Sequence, residues 1–485
     1  MSRKTDVLII GAGILGCFAA WALSRYKIST AVIEKEADVC TGISKANTGI
    51  IYQGYDQHPG SLKADLCRKA SVSFPALCKE LDVNYKKRGL LMLSFGPNAD
   101  RVLEKKIRNA EVSNIPDVHL IGAEELYRLE PSLKKGVSHA LFAENTFVVN
   151  PWELGIAAYE NAKANGVSFY LNEEVLSIRK ESGVFHIATN EQEFQAKRIL
   201  CCGGLNSDAL WELVNKPKIR LVPQAADYLV FDTDCGGLIR HVISVEPEEK
   251  GDGITIVPTC DGNLLLGPTR RELNGSFDGS TALAGLSELK EKGKWLLPDL
   301  PFDQMIRSFA GVRPNPFYLD QNGTITDKSL NDFVILEEDG FFDLIGVKTP
   351  GITCANELGQ YITTRILASF ASAPELKTDF DPVRKAIPKI SDLLERAPEA
   401  LMQLPPEYRE IFCRCRNVSK GEILEAIRRG ASTLDGIKRR TDAGMGRCQG
   451  GYCMEKILHL LSKELQTDIY KITKDGPGTE IIKES

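Results

Sequence analysis

The sequence predicts an α/β protein of more than one domain, and three stretches carry that prediction. The N-terminal DVLIIGAGILGCFAAWALSRYKISTAVIEKE runs as apolar strand, glycine turn, alanine-rich helix and second strand. Short β-type runs follow in the middle of the chain, LLMLSF, ADYLVFD, GITIVP and NLLLGPT, punctuated by glycine, proline and aspartate. Such runs build a mostly antiparallel sheet. Near the C-terminus, FCRCRNVSKGEILEAIRRG and GMGRCQGGYC place four cysteines where helical segments begin. A chain of 485 residues, 43% hydrophobic and 26% charged, has material for several cores.

The first stretch is a dinucleotide fingerprint. Gly11 permits the tight turn after the strand Val7 to Ile10, Gly13 lets backbone approach a pyrophosphate, and Gly16 lets helix and strand pack closely. The helix N-terminus then faces the phosphates. Glu34, at the end of the second strand, is placed to accept ribose hydroxyls. The fingerprint alone does not separate FAD from NAD. A bare glycine turn would leave the acid at the strand end unexplained.

A formal charge of -5 gives no global basic face, and no local basic run is long enough for nucleic acid or an anionic membrane surface. The start MSRKTDVLII lacks the n-region, h-region and cleavage site of a secretory signal, so a cytoplasmic protein is expected. Val7 to Leu23 is interrupted by three glycines and is shorter than a membrane span, so no transmembrane segment is expected. Of the 13 cysteines, Cys17, Cys67, Cys78, Cys235 and Cys354 stand singly among apolar residues and read as small core hydrophobes. Cys413, Cys415, Cys448 and Cys453 form a pattern.

After Glu34 the segment TGISKANTGIIYQGYDQHPGSLKADL, Thr41 to Leu66, continues without another regular strand and helix repeat. It resembles the flavin-contacting segment of the D-amino-acid-oxidase-like superfamily, in particular the alpha subunit of anaerobic glycerol-3-phosphate dehydrogenase. The likeness continues through NPWELGIAAYENAKANGVSFYLNEEV, AKRILCCGGLNSDAL and FFDLIGVKTPGITCANELGQYI. It implies bound FAD, contacted by Gly11, Gly13, Gly16, Glu34, Lys35, Ser44, Asn47, Thr48, Val175, Gly203, Gly204, Gly351, Ile352 and Thr353. Backbone N-H groups of the last three would face the pyrimidine edge of the flavin, where negative charge accumulates on reduction. On its own, NPWELGIAAYENAKANG is an amphipathic helix stopped at Asn165-Gly166, and GVKTPG is a turn.

The resemblance implies that the β insertion roofs the flavin, with substrate held between them. Arg313, in AGVRPNP, matches the GxRP segment that binds an anionic group. Its planar fork suits carboxylate or phosphate. The chain departs from the family at Tyr52-Gln53-Gly54, where relatives carry a histidine, and at PTCDGN, where Asp261 replaces another. It departs again at Gln224-Ala225-Ala226-Asp227-Tyr228. Tyr52 and Asp261 are therefore candidate catalytic residues, Tyr52 as a hydrogen-bonding group and Asp261 as a base or a partner for a cationic amine. Lys348, in GVKTPG, reads as a solvated turn lysine.

The spacing CxC, about thirty residues, CxxxxC suits four thiolate ligands. Iron-sulfur and a tetrahedral zinc ion both fit such a set. The pattern resembles the bacterioferritin-associated-ferredoxin-like domain, which implies a 2Fe-2S cluster on Cys413, Cys415, Cys448 and Cys453. Arg414, Arg416, Arg447 and the run Lys438-Arg439-Arg440 are expected to offset its negative charge. Gly444, Gly446, Gly450 and Gly451 are expected to let backbone N-H groups reach sulfur.

Domain boundaries follow. Residues 1-375 form the oxidoreductase, with Rossmann-like FAD-binding segments near 1-85, 145-215 and 330-375 and substrate-domain segments near 86-144 and 216-329. Residues 376-408, with proline at six positions between 371 and 408, form a docking tether; 409-466 form a small helical 2Fe-2S domain; 467-485 form a short strand and frayed tail. The resemblance implies an FAD-dependent dehydrogenase that oxidises a small anionic hydroxy compound of the glycerol-3-phosphate or 2-hydroxy-acid type. A second flavoprotein and a small electron-transfer subunit are its implied partners. An amino- or imino-acid dehydrogenase or oxidase, and a non-catalytic electron-transfer subunit, are the alternatives.

Overall fold

The computed structural model describes residues 2–245, 253–273 and 278–483. The strand Arg3–Ile10 lies in an eight-stranded sheet, paired in parallel with Thr30–Glu34 on one side and Glu193–Cys201 on the other. Its second half, Val7 to Ile9, is fully buried, as a continuous apolar run in a covered parallel sheet should be. The last strand, Phe341–Ile345, joins the same sheet beside Glu193–Cys201, so segments distant in sequence close one domain.

Three helices cover one face, Ile14–Leu23, Pro151–Ala164 and Ala355–Ala368. Alanine and glycine bring them together: a Cβ on Gly359 would lie 2.9 Å from the backbone of Phe18. The helix at Pro151 is capped by the Asn150 side chain, which accepts from the Glu153 N-H, and it stops at Asn165 as the sequence indicates. Phe18, Trp21, Phe74 and Ile362 are among the buried side chains of this core.

The inserted runs form a ten-stranded sheet. Only the pairing of Val242–Val245 with Leu90–Ser94 is parallel among the pairings described. Its spine is the long antiparallel ribbon of Ile219–Phe231 and Met305–Leu319, which sets Gln224 opposite Arg313 and Tyr228 opposite Phe309. The rings of Tyr228 and Phe309 stack at 4.7 Å. Leu229, Phe231, Ile256, Leu266 and Leu289 fill a separate core under the helix Leu283–Leu296.

The C-terminal module carries the helices Lys420–Arg428, Leu434–Thr441 and Met454–Glu464 around Val418, Ile423, Ile437 and Leu461. Ser419 and Glu422 form a complete capping box at the first of them. Two buried ion-pair groups fasten the module to the flavin domain. Asp38 accepts from Arg439 at 3.0 Å and from Arg440 at 2.7 and 2.8 Å. Glu160, on the helix Pro151–Ala164, binds Arg384 of the linker at 2.6 Å and Arg429 of the module at 3.0 Å.

Two expectations change here. Arg439 and Arg440 turn toward Asp38 as interdomain locks, rather than serving as counter-charges for the cysteine site. The final segment is tied down, not frayed: Ile469–Lys471 is a short helical turn, Thr473 pairs with Glu480, and Asp475 binds Arg439 and Lys45, each at 2.8 Å.

Candidate functional site

A cavity of about 800 Å³ runs between the eight-stranded sheet and the β roof. Gly11, Gly13, Glu34, Lys35, Ser44, Asn47, Thr48, Val175, Gly203, Gly204, Gly351, Ile352 and Thr353 all line it, with Tyr52 and Arg313. Gly16 lies beneath, where a Cβ would come within 2.0 Å of the Gly11 carbonyl oxygen. Gly11 has φ +100°, and a Cβ there would strike the Cys202 carbonyl at 2.5 Å. Only Ser44 Oγ, at 3.4 Å, lies near a Cβ built on Gly13, so that position opens on the cavity. This is the cradle a pyrophosphate requires.

Ser44 accepts the Ile14 N-H at 3.0 Å and fixes the entry of the first helix. Asn47 shapes the neighbouring loop, donating to the carbonyls of Ile43 and Ser44 and accepting from Gly49. Glu34 accepts from the N-H groups of Ala12 at 2.6 Å and Glu36 at 3.0 Å, which hold its carboxylate at the cavity wall. Burial raises its pKa while those two N-H groups oppose the shift.

At the other end, Gly351 donates its N-H to the Lys348 carbonyl at 2.7 Å, closing the turn instead of facing the cavity. Among the described residues no protein acceptor takes the N-H of Ile352 or Thr353. Thr353 Oγ1 accepts from the Tyr52 N-H at 3.1 Å and ties this turn to the flavin-contacting segment. The Tyr52 hydroxyl bonds Thr48, and burial, then Asp56 and Tyr228, raise its pKa. Tyr228 is hydrogen-bonded to Arg313, and burial raises its pKa against that interaction.

Lys348 is not the solvated turn lysine that its sequence context suggests. It lines the cavity, donating to Asn315 Oδ1 at 2.9 Å and to Ser329 Oγ at 3.3 Å. Burial, with the charges of Lys63, Arg270 and Arg313, pulls its pKa down to about 8. Asn315 stands two residues after Arg313 on the same strand, so the pleat puts both on one face of the roof. Nothing local in GVKTPG records this, because both partners come from the roof.

Asp261 is not brought together with Tyr52 and Arg313. The turn from Thr259 to Asn263 joins two roof strands at the end facing the C-terminal module, and Asp261 lines a separate cavity of about 260 Å³ there. It lies 3.4 Å from Asn150 Nδ2, and burial and Asp442 raise its pKa.

The four cysteine thiols are linked in order. Cys453 bonds Cys413, whose sulfur is 3.7 Å from that of Cys415, which is 3.7 Å from Cys448. The bond from Cys453 brings the Cys413 pKa down to about 5 against burial, with backbone N-H groups of Gly444 and Arg416 adding to the effect. N-H groups of Gly450 and Tyr452 bond Cys448. A Cβ on Gly446 would lie 2.5 Å from the Cys415 sulfur, so only glycine fits. Cys413 and Cys453 are buried, Cys448 is partly exposed and Cys415 is exposed. Among the described residues no three histidine, cysteine, aspartate or glutamate side chains surround one point as ligands of a single ion. Thiolates stabilised by backbone donors suit the larger iron-sulfur unit. Arg447 binds Asp232 and Asp234 of the roof, at 3.1 and 2.8 Å, and so sits where roof and cysteine loop meet.

A dinucleotide cradle beneath a β roof, joined to a four-thiol module, defines a flavin-dependent oxidoreductase with an iron-sulfur centre. The chain belongs to the FAD dependent oxidoreductase family, which it matches over residues 6–365, and residues 411–463 match the BFD-like 2Fe-2S binding domain. FAD and a 2Fe-2S cluster are its cofactors. It is 35% identical over 482 residues to a glycerol 3-phosphate dehydrogenase of Caloramator mitchellensis, covering 98% of each chain. It is 26% identical over 418 residues to the mitochondrial L-2-hydroxyglutarate dehydrogenase of Caenorhabditis elegans, covering 76% of this chain and 94% of that one. The FAD-bound L-alpha-glycerophosphate oxidase of Mycoplasma pneumoniae superposes with a TM-score of 0.70 at 25% identity, over 79% of this chain and 98% of the other. No helix among the described residues is long and apolar enough to cross a membrane.

Proposed function

We propose that this protein oxidises a small anionic hydroxy compound of the glycerol 3-phosphate type and sends the electrons through its cluster to a separate one-electron acceptor. The observation that carries the reading is the group of cations at the roof end of the cavity. Arg313 lines it, and Lys63 and Arg270 lie close enough to press the neighbouring Lys348 toward its neutral form. Such a group selects an anion, and the Arg313 fork suits a phosphate or carboxylate. The glycerol 3-phosphate dehydrogenase of Caloramator mitchellensis supports phosphate. An amine substrate has less support, since Asp261 lies in the other cavity.

FAD, when bound, accepts the hydride from the carbon bearing the hydroxyl. The open face of Gly13, the helix entry at Ile14, the Glu34 carboxylate and the wall at Val175 would hold the dinucleotide, and the N-H groups of Ile352 and Thr353 would be left free for its flavin edge. Arg313, steadied by Tyr228, grips the substrate's anionic end. Tyr52, whose raised pKa keeps it protonated, donates a hydrogen bond. Lys348 as the neutral amine takes the hydroxyl proton, so the alcohol loses hydride and proton together and leaves as a ketone. Cys413, Cys415, Cys448 and Cys453 would hold the cluster, which would supply one-electron transfer; the exposed Cys415 and partly exposed Cys448 would leave that side open to an acceptor. The same reading makes this a cytoplasmic enzyme whose acceptor is a second flavoprotein or small electron-transfer subunit.

The test is the pH dependence of kcat/KM with glycerol 3-phosphate. Because the neutral form of Lys348 is the active one, the rate should rise about tenfold per pH unit and level above about pH 8. Lys348→Met should abolish that limb. The same limb persisting in Lys348→Met would assign the proton to another group.

A further inference from the structure

The second cavity, of about 260 Å³, lies where flavin domain, roof and C-terminal module meet. Residues 45–48 form its wall toward the flavin cavity, and Met445 and Gln449 of the cysteine loop line it as well. We propose that this cavity binds a small oxyanion, a phosphate or carboxylate group, through Lys438 and Arg307. The site is distinct from the substrate's.

Hydrogen-bond accounting carries the inference. Lys438 is half-buried and makes no hydrogen bond or ion pair among the described residues; Asp435, the carboxylate that acts on it, is bound at close range to Lys474. Arg307 reaches only Gln449 Oε1, at 3.3 Å. A half-buried ammonium without an acceptor is costly unless something accepts from it, and an oxyanion has lone pairs for Lys438 and Arg307 together.

Charge accounting agrees. Burial, then Arg307, pull Lys438 down to about 8, as befits a cation without a counter-charge. The acids on the wall have cationic partners or lie where burial opposes their charge. Asp442 is bound by Lys389 at 3.1 Å with Arg416 at 4.0 Å, and Asp261 is pushed up by burial and by Asp442. Behind them Glu153 is raised by burial to about 7. Lys45 and the outer nitrogens of Arg439 belong to Asp475 and Asp38. The volume falls below that of a typical cofactor site and suits a group of phosphate size. An anion here lies beside the cysteine loop, adds negative charge near the cluster and makes its reduction harder.

The experiment uses the holoenzyme with inorganic phosphate and bromide as probes. In crystals grown with sodium bromide, an anomalous peak is expected between Lys438 and Arg307. By calorimetry, Arg313→Ala protein, in which the substrate cavity is weakened, should still bind one phosphate, and adding Lys438→Met should weaken that binding at least tenfold. Arg307→Met should weaken it as well. FAD and cluster spectra report that each variant has folded. Affinity should fall about tenfold per pH unit above about pH 8, because protonated Lys438 is the binding form. No bromide in the cavity, or phosphate binding unchanged by Lys438→Met, would overturn the assignment.

Discussion

Asp38 is 2% exposed and accepts three hydrogen bonds from two guanidiniums of another domain, so its removal should detach the cluster module. Its pKa is held down to about 2 from 3.8; burial opposes that shift and Arg440, then Arg439, impose it. At about 1.4 kcal/mol per unit, the ionised form gains about 2 kcal/mol. Deleting the carboxylate costs more, because Arg440 then remains buried without its partner while Arg439 keeps Asp475. Breaking one side of a buried pair costs about 3–5 kcal/mol. For Asp38→Ala, protease cleavage in 376–408 and loss of visible circular dichroism from the cluster should become roughly a hundredfold or more easier, at about 1.4 kcal/mol per tenfold. Asp38→Ala combined with Arg440→Met should recover much of this, since an apolar pair fills the same space. The wild-type contribution is fully present above about pH 4 and is lost as pH falls through about 2, the sense required for a carboxyl whose folded pKa is depressed. Unchanged cleavage and an unchanged cluster transition in Asp38→Ala would refute the idea that this pair holds the domains together.

Four further outcomes follow from the site. Arg313→Ala should lower kcat/KM for glycerol 3-phosphate by about 2–5 kcal/mol of transition-state binding, with Arg313→Lys recovering part; steady-state kinetics read this directly. Gly13→Val should give protein without yellow colour, because the side chain would occupy the open cradle. Gly446→Ala should lose iron and labile sulfide while keeping FAD, since its Cβ would fall 2.5 Å from the Cys415 sulfur. Cys448→Ser should lose the electron paramagnetic resonance signal of the reduced cluster while substrate still bleaches the flavin.

What the sequence disclosed was local. The strand, glycine turn, helix and Glu34 sit within 34 residues of the start, and their spacing is the geometry itself. The four cysteines among glycines were legible for the same reason. Residues whose meaning depends on partners hundreds of positions away were not. Lys348 resembles any turn lysine until Asn315 and Ser329 of the roof reach it. Arg439 and Arg440 resemble counter-charges for a nearby cluster, yet the helix Leu434–Thr441 turns them toward Asp38, some 400 residues earlier in the chain. Asp261 shares a turn with residues expected near substrate, but that turn lies at the end of the roof strands facing the C-terminal module.

The central claim is that electrons pass from an anionic hydroxy substrate through FAD to the cysteine-bound cluster. Anaerobic rapid mixing of the holoenzyme with glycerol 3-phosphate, followed by optical and freeze-quench electron paramagnetic resonance spectroscopy, tests it most directly. The account predicts bleaching of the flavin first and then a reduced 2Fe-2S signal from the same molecules, with the second step absent in Cys448→Ser. A flavin that glycerol 3-phosphate and 2-hydroxy acids all leave oxidised, or a cluster that stays oxidised beside fully reduced flavin, would contradict it.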